Sequence, residues 1–174
     1  MGDRVHVRRL GVEDGASFMS VRREALEADP LAFSASIDDD VGLDPEFVQR
    51  SLANEPEQAV FGYFEAGRLR GIVGLVRASK LKQRHAATVW GMYVSAGTRR
   101  RGAGRALLDA AIGQARAWGI EQVQLSVTDT APEAKRMYEA AGFKSWGHQP
   151  RALAWQGRFV DESHMVLDLR GGNA

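Results

Sequence analysis

The chain has 174 residues, 44% of them hydrophobic, no cysteine and a formal net charge of +1. That is one globular domain over residues 1–174 with room for a full core, and it excludes disulfides, thiolate metal sites and an acyl-cysteine intermediate. Near-neutral charge argues against nucleic-acid or polybasic membrane binding, and without a ~20-residue apolar run or a secretory signal the expected location is cytoplasmic.

In chain order, residues 5–10 alternate as a first strand, and residues 13–29 put Phe18, Val21, Ala25 and Leu26 on one helical face that Pro30 ends. Residues 32–40 form a loop closing on Asp38, Asp39 and Asp40, read as a solvated, helix-capping cluster. The functional alternative is an acidic lip for a cationic amine. Asp44-Pro45-Glu46 is an N-cap, first-turn proline and acidic turn for a helix over 47–54. Residues 58–65 and 69–76 are strands around Ala66-Gly67-Arg68, and Gly71 and Gly74 predict a bulge or close backbone approach in the second. Residues 77–84 form a basic surface loop in which Lys80, Lys82 and Arg84 read as solvated.

Residues 88–94 carry no charge and many β-branched or aromatic side chains, as a buried strand would, and Gly91 marks a bulge or tight packing. After residues 95–98 come Arg99, Arg100, Arg101, Gly102, Ala103, Gly104 and Arg105. A helical stripe runs from residue 106 through Leu107, Leu108, Ala111, Ile112, Ala115 and Trp118, with Gly119 as its stop. A helix N-terminus with glycines and arginines suits a phosphate or pyrophosphate. The bland alternative is a solvated arginine cluster. No Lys-Ser or Lys-Thr follows Gly104, which excludes a P-loop, and Leu107 disfavours a dinucleotide fingerprint.

Residues 122–127 are the next strand. Thr130 and Glu133 form a capping box for a later helix that Gly142 closes, and residues 143–154 and 158–169 form a final antiparallel pair around Trp155-Gln156-Gly157. The fold class is therefore mixed α/β (α+β), a mostly antiparallel sheet flanked by helices.

Arg99-x-x-Gly102-x-Gly104 and Ala134-x-x-x-Tyr138-x-x-x-Gly142-Phe143, one strand apart, resemble the paired motifs of the GNAT family of N-acetyltransferases. The resemblance implies a splayed central strand at 88–94, acetyl-CoA as co-substrate, and direct acetyl transfer to a primary amine of a small molecule or peptide. It places the pyrophosphate on residues 99–105 and the pantetheine arm and acetyl carbonyl on Met92 and Val94. Tyr138 becomes the acid that protonates the leaving thiolate, since a phenol with a reference pKa of about 10 holds its proton at neutral pH. Where the family often has a cofactor-binding asparagine this chain has Ala131, with Thr130 or Asp129 as substitutes. The resemblance is compatible with a homodimer.

The base is open from sequence. His85 is the first candidate because imidazole titrates near neutrality. Glu24, Asp161 and Glu162, with His164 and His148, are further candidates for the acceptor pocket. The histidines have no metal-ligand spacing, so no metal is expected. A non-catalytic acyl-CoA sensor on the same fold is the alternative function.

Overall fold

The structure, a computed structural model, describes residues 6–54 and 56–171. Its strands are β1 His6–Arg9, β2 Gln58–Glu65, β3 Arg68–Arg77, β4 Ala86–Val94, β5 Gln122–Thr128, β6 Lys144–Trp155 and β7 Arg158–Asp168. Its α-helices are α1 Gly15–Ala28, α2 Pro45–Ala53, α3 Ala103–Ala117 and α4 Pro132–Ala140. The expected first strand reaches Val5, which lies outside the described residues. The strands form one sheet in the order β1-β2-β3-β4-β5-β7-β6. Every pairing is antiparallel except β4 with β5.

Each face of the sheet carries its own core. The stripe Leu107, Leu108, Ala111 and Ala115 of α3 packs on Phe61, Val73 and Val89, with α4 beside it. On the opposite face, Phe18, Val21 and Ala25 of α1 and Val48 and Leu52 of α2 pack on Val60 and Ile72. These are the alternate-face and helical-period residues that the pattern requires.

The central strand contains the feature that opens the molecule. Gly74 pairs with Trp90 and Ile72 with Tyr93, so Val73 alone faces two residues, Gly91 and Met92. Gly91 takes a φ of 63°, which a glycine adopts without strain, and the extra residue bends the strand. Trp90 lies across Gly74, where an added Cβ would stand 2.0 Å from the indole. On its other side β4 pairs with β5 only from Ala86–Gln122 to Thr88–Gln124. Beyond Thr88 the two strands part, and among the described residues the β5-facing edge of β4 from Val89 to Val94 has no strand paired with it.

Several local expectations are corrected. Helix α3 begins at Ala103, not 106, with Gly102 at φ 80° as its N-cap. No capping box opens α4: Ala131 is the N-cap and makes no side-chain cap bond. Thr130 instead shares a 2.8 Å hydrogen bond with Thr128, and Glu133 pairs with Arg100 at 3.5 Å. Arg84 is not free in solvent but pairs with Glu57, whose carboxyl it holds below the usual range. The acidic run divides. Asp39 accepts from the Ser36 amide and hydroxyl, whereas Asp40 turns inward to Arg22, with its side chain only 4% exposed.

Candidate active site

The turn before α3 is built from main chain. Arg100 and Gly102 both have positive φ, 64° and 80°, so the chain is left-handed on each side of Arg101 just before the helix. The first helical amide with a partner is that of Ala106, bonded to the Gly102 carbonyl at 2.9 Å. The amides of Ala103, Gly104 and Arg105 belong to the first turn, which has no intrahelical acceptors, and no side chain caps them. A helix start of this kind suits an anion. Gly102 has open space around it, while a Cβ on Gly104 would meet Met137 Sδ at 3.1 Å. The second glycine therefore serves the contact between α3 and α4 as well.

The arginines are already engaged. Arg99 donates to the Val94 carbonyl at 2.8 Å and to Asp29 at 2.6 Å, tying the turn to the end of α1. Arg101 bonds Glu65 at 2.7 Å and Arg105 bonds Asp109 at 2.8 Å. Any charge they lend to a ligand is shared with these carboxylates.

Where β4 and β5 part there is a cavity of about 110 Å³, lined by Trp90, Gly91, Met92, Val127 and Tyr138 among others. Tyr138 is 5% exposed and packs edge-on against Phe143 at 5.9 Å. Burial pushes its phenol up to about 12. Ala131 also lines this cavity, and Thr130 does not.

A larger cavity, of about 590 Å³, lies on the α1/α2 face. Phe18, Phe33, Phe47 and Trp90 give it an aromatic wall, and Arg22, Ser126 and Glu162 supply polar groups. Phe33, Val89, Trp90, Gly91 and Ser126 line both cavities, so the two meet at the split. Ser126 Oγ lies 2.8 Å from His164 Nδ1, and His164 Nε2 lies 3.1 Å from Gln149. Among the described residues the Glu162 carboxylate has no hydrogen-bond partner.

The other sequence candidates lie elsewhere. His85 lines neither cavity: it precedes β4 at the end where β4 and β5 are still paired, and its carbonyl receives the amides of Glu121 and Gln122. Glu24 accepts from the Tyr93 hydroxyl at 3.0 Å, and burial and this carboxylate push Tyr93 up to about 12. Asp161 is held by the Arg151 amide and by His148 at 2.9 Å, which lower its carboxyl and occupy it on the β6–β7 side. Sequence reasoning passed over Arg22, Trp90 and Ser126. Only long-range packing brings them together, and no local spacing signals it.

Among the described residues no group of three or more metal-ligating side chains occurs, and no helix is long and apolar enough to cross a membrane.

The profile of the acetyltransferase (GNAT) family matches residues 21–143. A GNAT-family acetyltransferase from Streptococcus pneumoniae superposes with a TM-score of 0.83 at 26% identity, over 95% of this chain and 99% of that one. A phosphinothricin acetyltransferase from Sinorhizobium meliloti, in complex with acetyl-CoA, gives a TM-score of 0.83 at 19% identity, over 94% of this chain and 88% of that one. A ribosomal-protein-alanine N-acetyltransferase from Brucella melitensis gives 0.82 at 19% identity, over 94% and 99%. No curated protein matches the sequence.

Proposed function

The chain belongs to the acetyltransferase (GNAT) family, and from that premise we propose that it transfers acetyl from acetyl-CoA to a primary amine of a small molecule or peptide, with both substrates bound at once. One observation carries the reading. Two cavities meet at the split between β4 and β5, one on the α1/α2 face and one reaching Tyr138 of α4, and they share Gly91, Trp90 and Ser126. A thioester in one and an amine in the other would meet without a covalent enzyme intermediate.

Acetyl-CoA supplies an acyl carbon activated by sulfur. The residues of this chain bind it, orient it and move protons. The unsatisfied amides of Ala103, Gly104 and Arg105 suit the diphosphate, with Arg100 and Arg101 at its rim. The unpaired edge of β4 suits the pantetheine arm. Met92 lines that groove, whereas the Val94 carbonyl is already taken by Arg99. In the reaction a C–N bond forms, the C–S bond breaks, one proton leaves nitrogen and one reaches sulfur. Tyr138, buried and protonated up to about 12, is the donor to sulfur.

For the proton on nitrogen, the geometry favours the Ser126–His164 pair over His85. Ser126 stands in the wall common to both cavities, and His164, hydrogen-bonded behind it, would take the proton that the Ser126 hydroxyl passes on. Glu162, which lines the same larger cavity, would hold an ammonium before it is deprotonated.

The test is release of free CoA thiol when the enzyme, acetyl-CoA and a broad amine panel are mixed. Thiol release that depends on the amine is expected. Acetyl-CoA binding with no amine-dependent thiol across the panel overturns catalysis and leaves an acyl-CoA-binding module.

A further inference from the structure

We infer that Arg22 is an anchor for a carboxylate on the acceptor, and that the acceptor is therefore an α-amino acid and not a purely cationic amine. The inference rests on the acetyl-transfer reading and names the substrate class of its larger cavity.

Arg22 stands on α1, facing the sheet, and its side chain is only 9% exposed. Its Nε and Nη2 both donate to one Asp40 oxygen, and the other Asp40 oxygen accepts the Gly42 amide at 2.7 Å. The Phe33 ring covers the guanidinium at 4.9 Å. Asp40 thus engages Nε and Nη2, and Phe33 covers the guanidinium plane. Nη1 is buried and has no hydrogen-bond partner among the described residues. A buried donor without an acceptor is costly, and few are tolerated in folded proteins.

The position of this donor gives it a use. Nη1 comes within 3.4 Å of where a Cβ on Gly91 would stand, and Gly91 lines both cavities. The free N–H groups therefore lie at the acceptor side of the split. Their best complement is an anionic oxygen, which forms a short charge-assisted bond with guanidinium. Among the acids lining the cavity, Asp39 is held by Ser36 and Asp40 by Arg22, which leaves Glu162. One free cationic donor and one free carboxylate on an otherwise largely apolar wall, aliphatic and aromatic, complement a zwitterion with an apolar side chain. With the carboxylate on Nη1, an amine one carbon away faces the split. A distant carboxylate would not aim the amine there.

The experiment measures thiol release with acetyl-CoA and three matched sets: the proteinogenic α-amino acids, their carboxamides and their decarboxylated amines. For the preferred side chain, the free acid should exceed both counterparts in kcat/KM by about 10- to 100-fold, the range of a charge-assisted hydrogen bond. Arg22→Lys keeps a cation for Asp40 but loses the second arm, and it should collapse that preference to less than about threefold. Thermal melting and acetyl-CoA titration verify that the variant is folded, and the wild-type comparison needs no variant at all. Equal rates for acid, amide and amine overturn the inference and leave acetyl transfer standing. A preference that survives Arg22→Lys in folded protein also overturns it. Absence of acetyl-CoA binding, by contrast, overturns the underlying reading.

Discussion

The two sides of the split are made of different material. On the α3/α4 side the proposed site is mostly main chain: helix-start amides, a glycine with positive φ and the bare edge of β4, with Tyr138 as its side-chain contribution. On the α1/α2 side it is side chain: Arg22, Ser126, Glu162 and four aromatic rings drawn from six elements or loops. Main-chain sites tolerate side-chain change, because the donors belong to the backbone. Side-chain sites depend on each partner and can be rebuilt for a new ligand. On the proposed reading, one fold can thus keep a fixed cofactor side while its acceptor side varies.

The sharpest way to break this contrast is at the buried ion pair. Arg22→Met should strand Asp40 and cost about 3–5 kcal/mol in urea unfolding. Adding Asp40→Asn to that variant should restore part of the loss. If Arg22→Met is neutral, the acceptor side is not held by its side chains. Next in size, Tyr138→Phe should lower kcat about 10²- to 10³-fold and leave the acetyl-CoA Kd within about threefold. Because this phenol titrates only near 12, the donor stays protonated as pH rises, and wild-type kcat should show no alkaline fall from Tyr138 below about pH 11. The smallest effects belong to the turn. Gly102→Val forces a φ of 80° on a branched residue and should weaken acetyl-CoA about tenfold. Arg100→Ala, removing an exposed guanidinium already shared with Glu133, should change it less than about twofold by calorimetry. A reversal of that order would make the site one of charges and not of amides.

The same contrast explains what could be read from residues alone. The turn at 99–105 and the Gly91 bulge are local devices, and their sequence marks are adjacent. The faces of α1 and α3 follow from period alone, and Phe18, Val21, Ala25, Leu107 and Leu108 are buried as expected. Arg22 has the same period as that buried face, but as an arginine it reads as a solvent residue. Only a carboxylate 18 positions away lets it stay inside. The capping box failed for a different reason. Thr130 and Glu133 have the right spacing, but the cap falls at Ala131, and each side chain has another partner. His85 has suitable chemistry, and it sits at the wrong end of β4.

The order β5-β7-β6 has a consequence for how the protein is made. The edge of β5 that carries Ser126 stays bare until β7, which is made after β6, slides between the two, so the hairpin must dock as a unit. A nascent chain shorter than residue 168 can assemble β1 to β4 with their helices, yet it displays an unpaired strand edge of the kind that invites aggregation. Ribosome-stalled lengths on either side of β7 should therefore differ abruptly in protease resistance at β5.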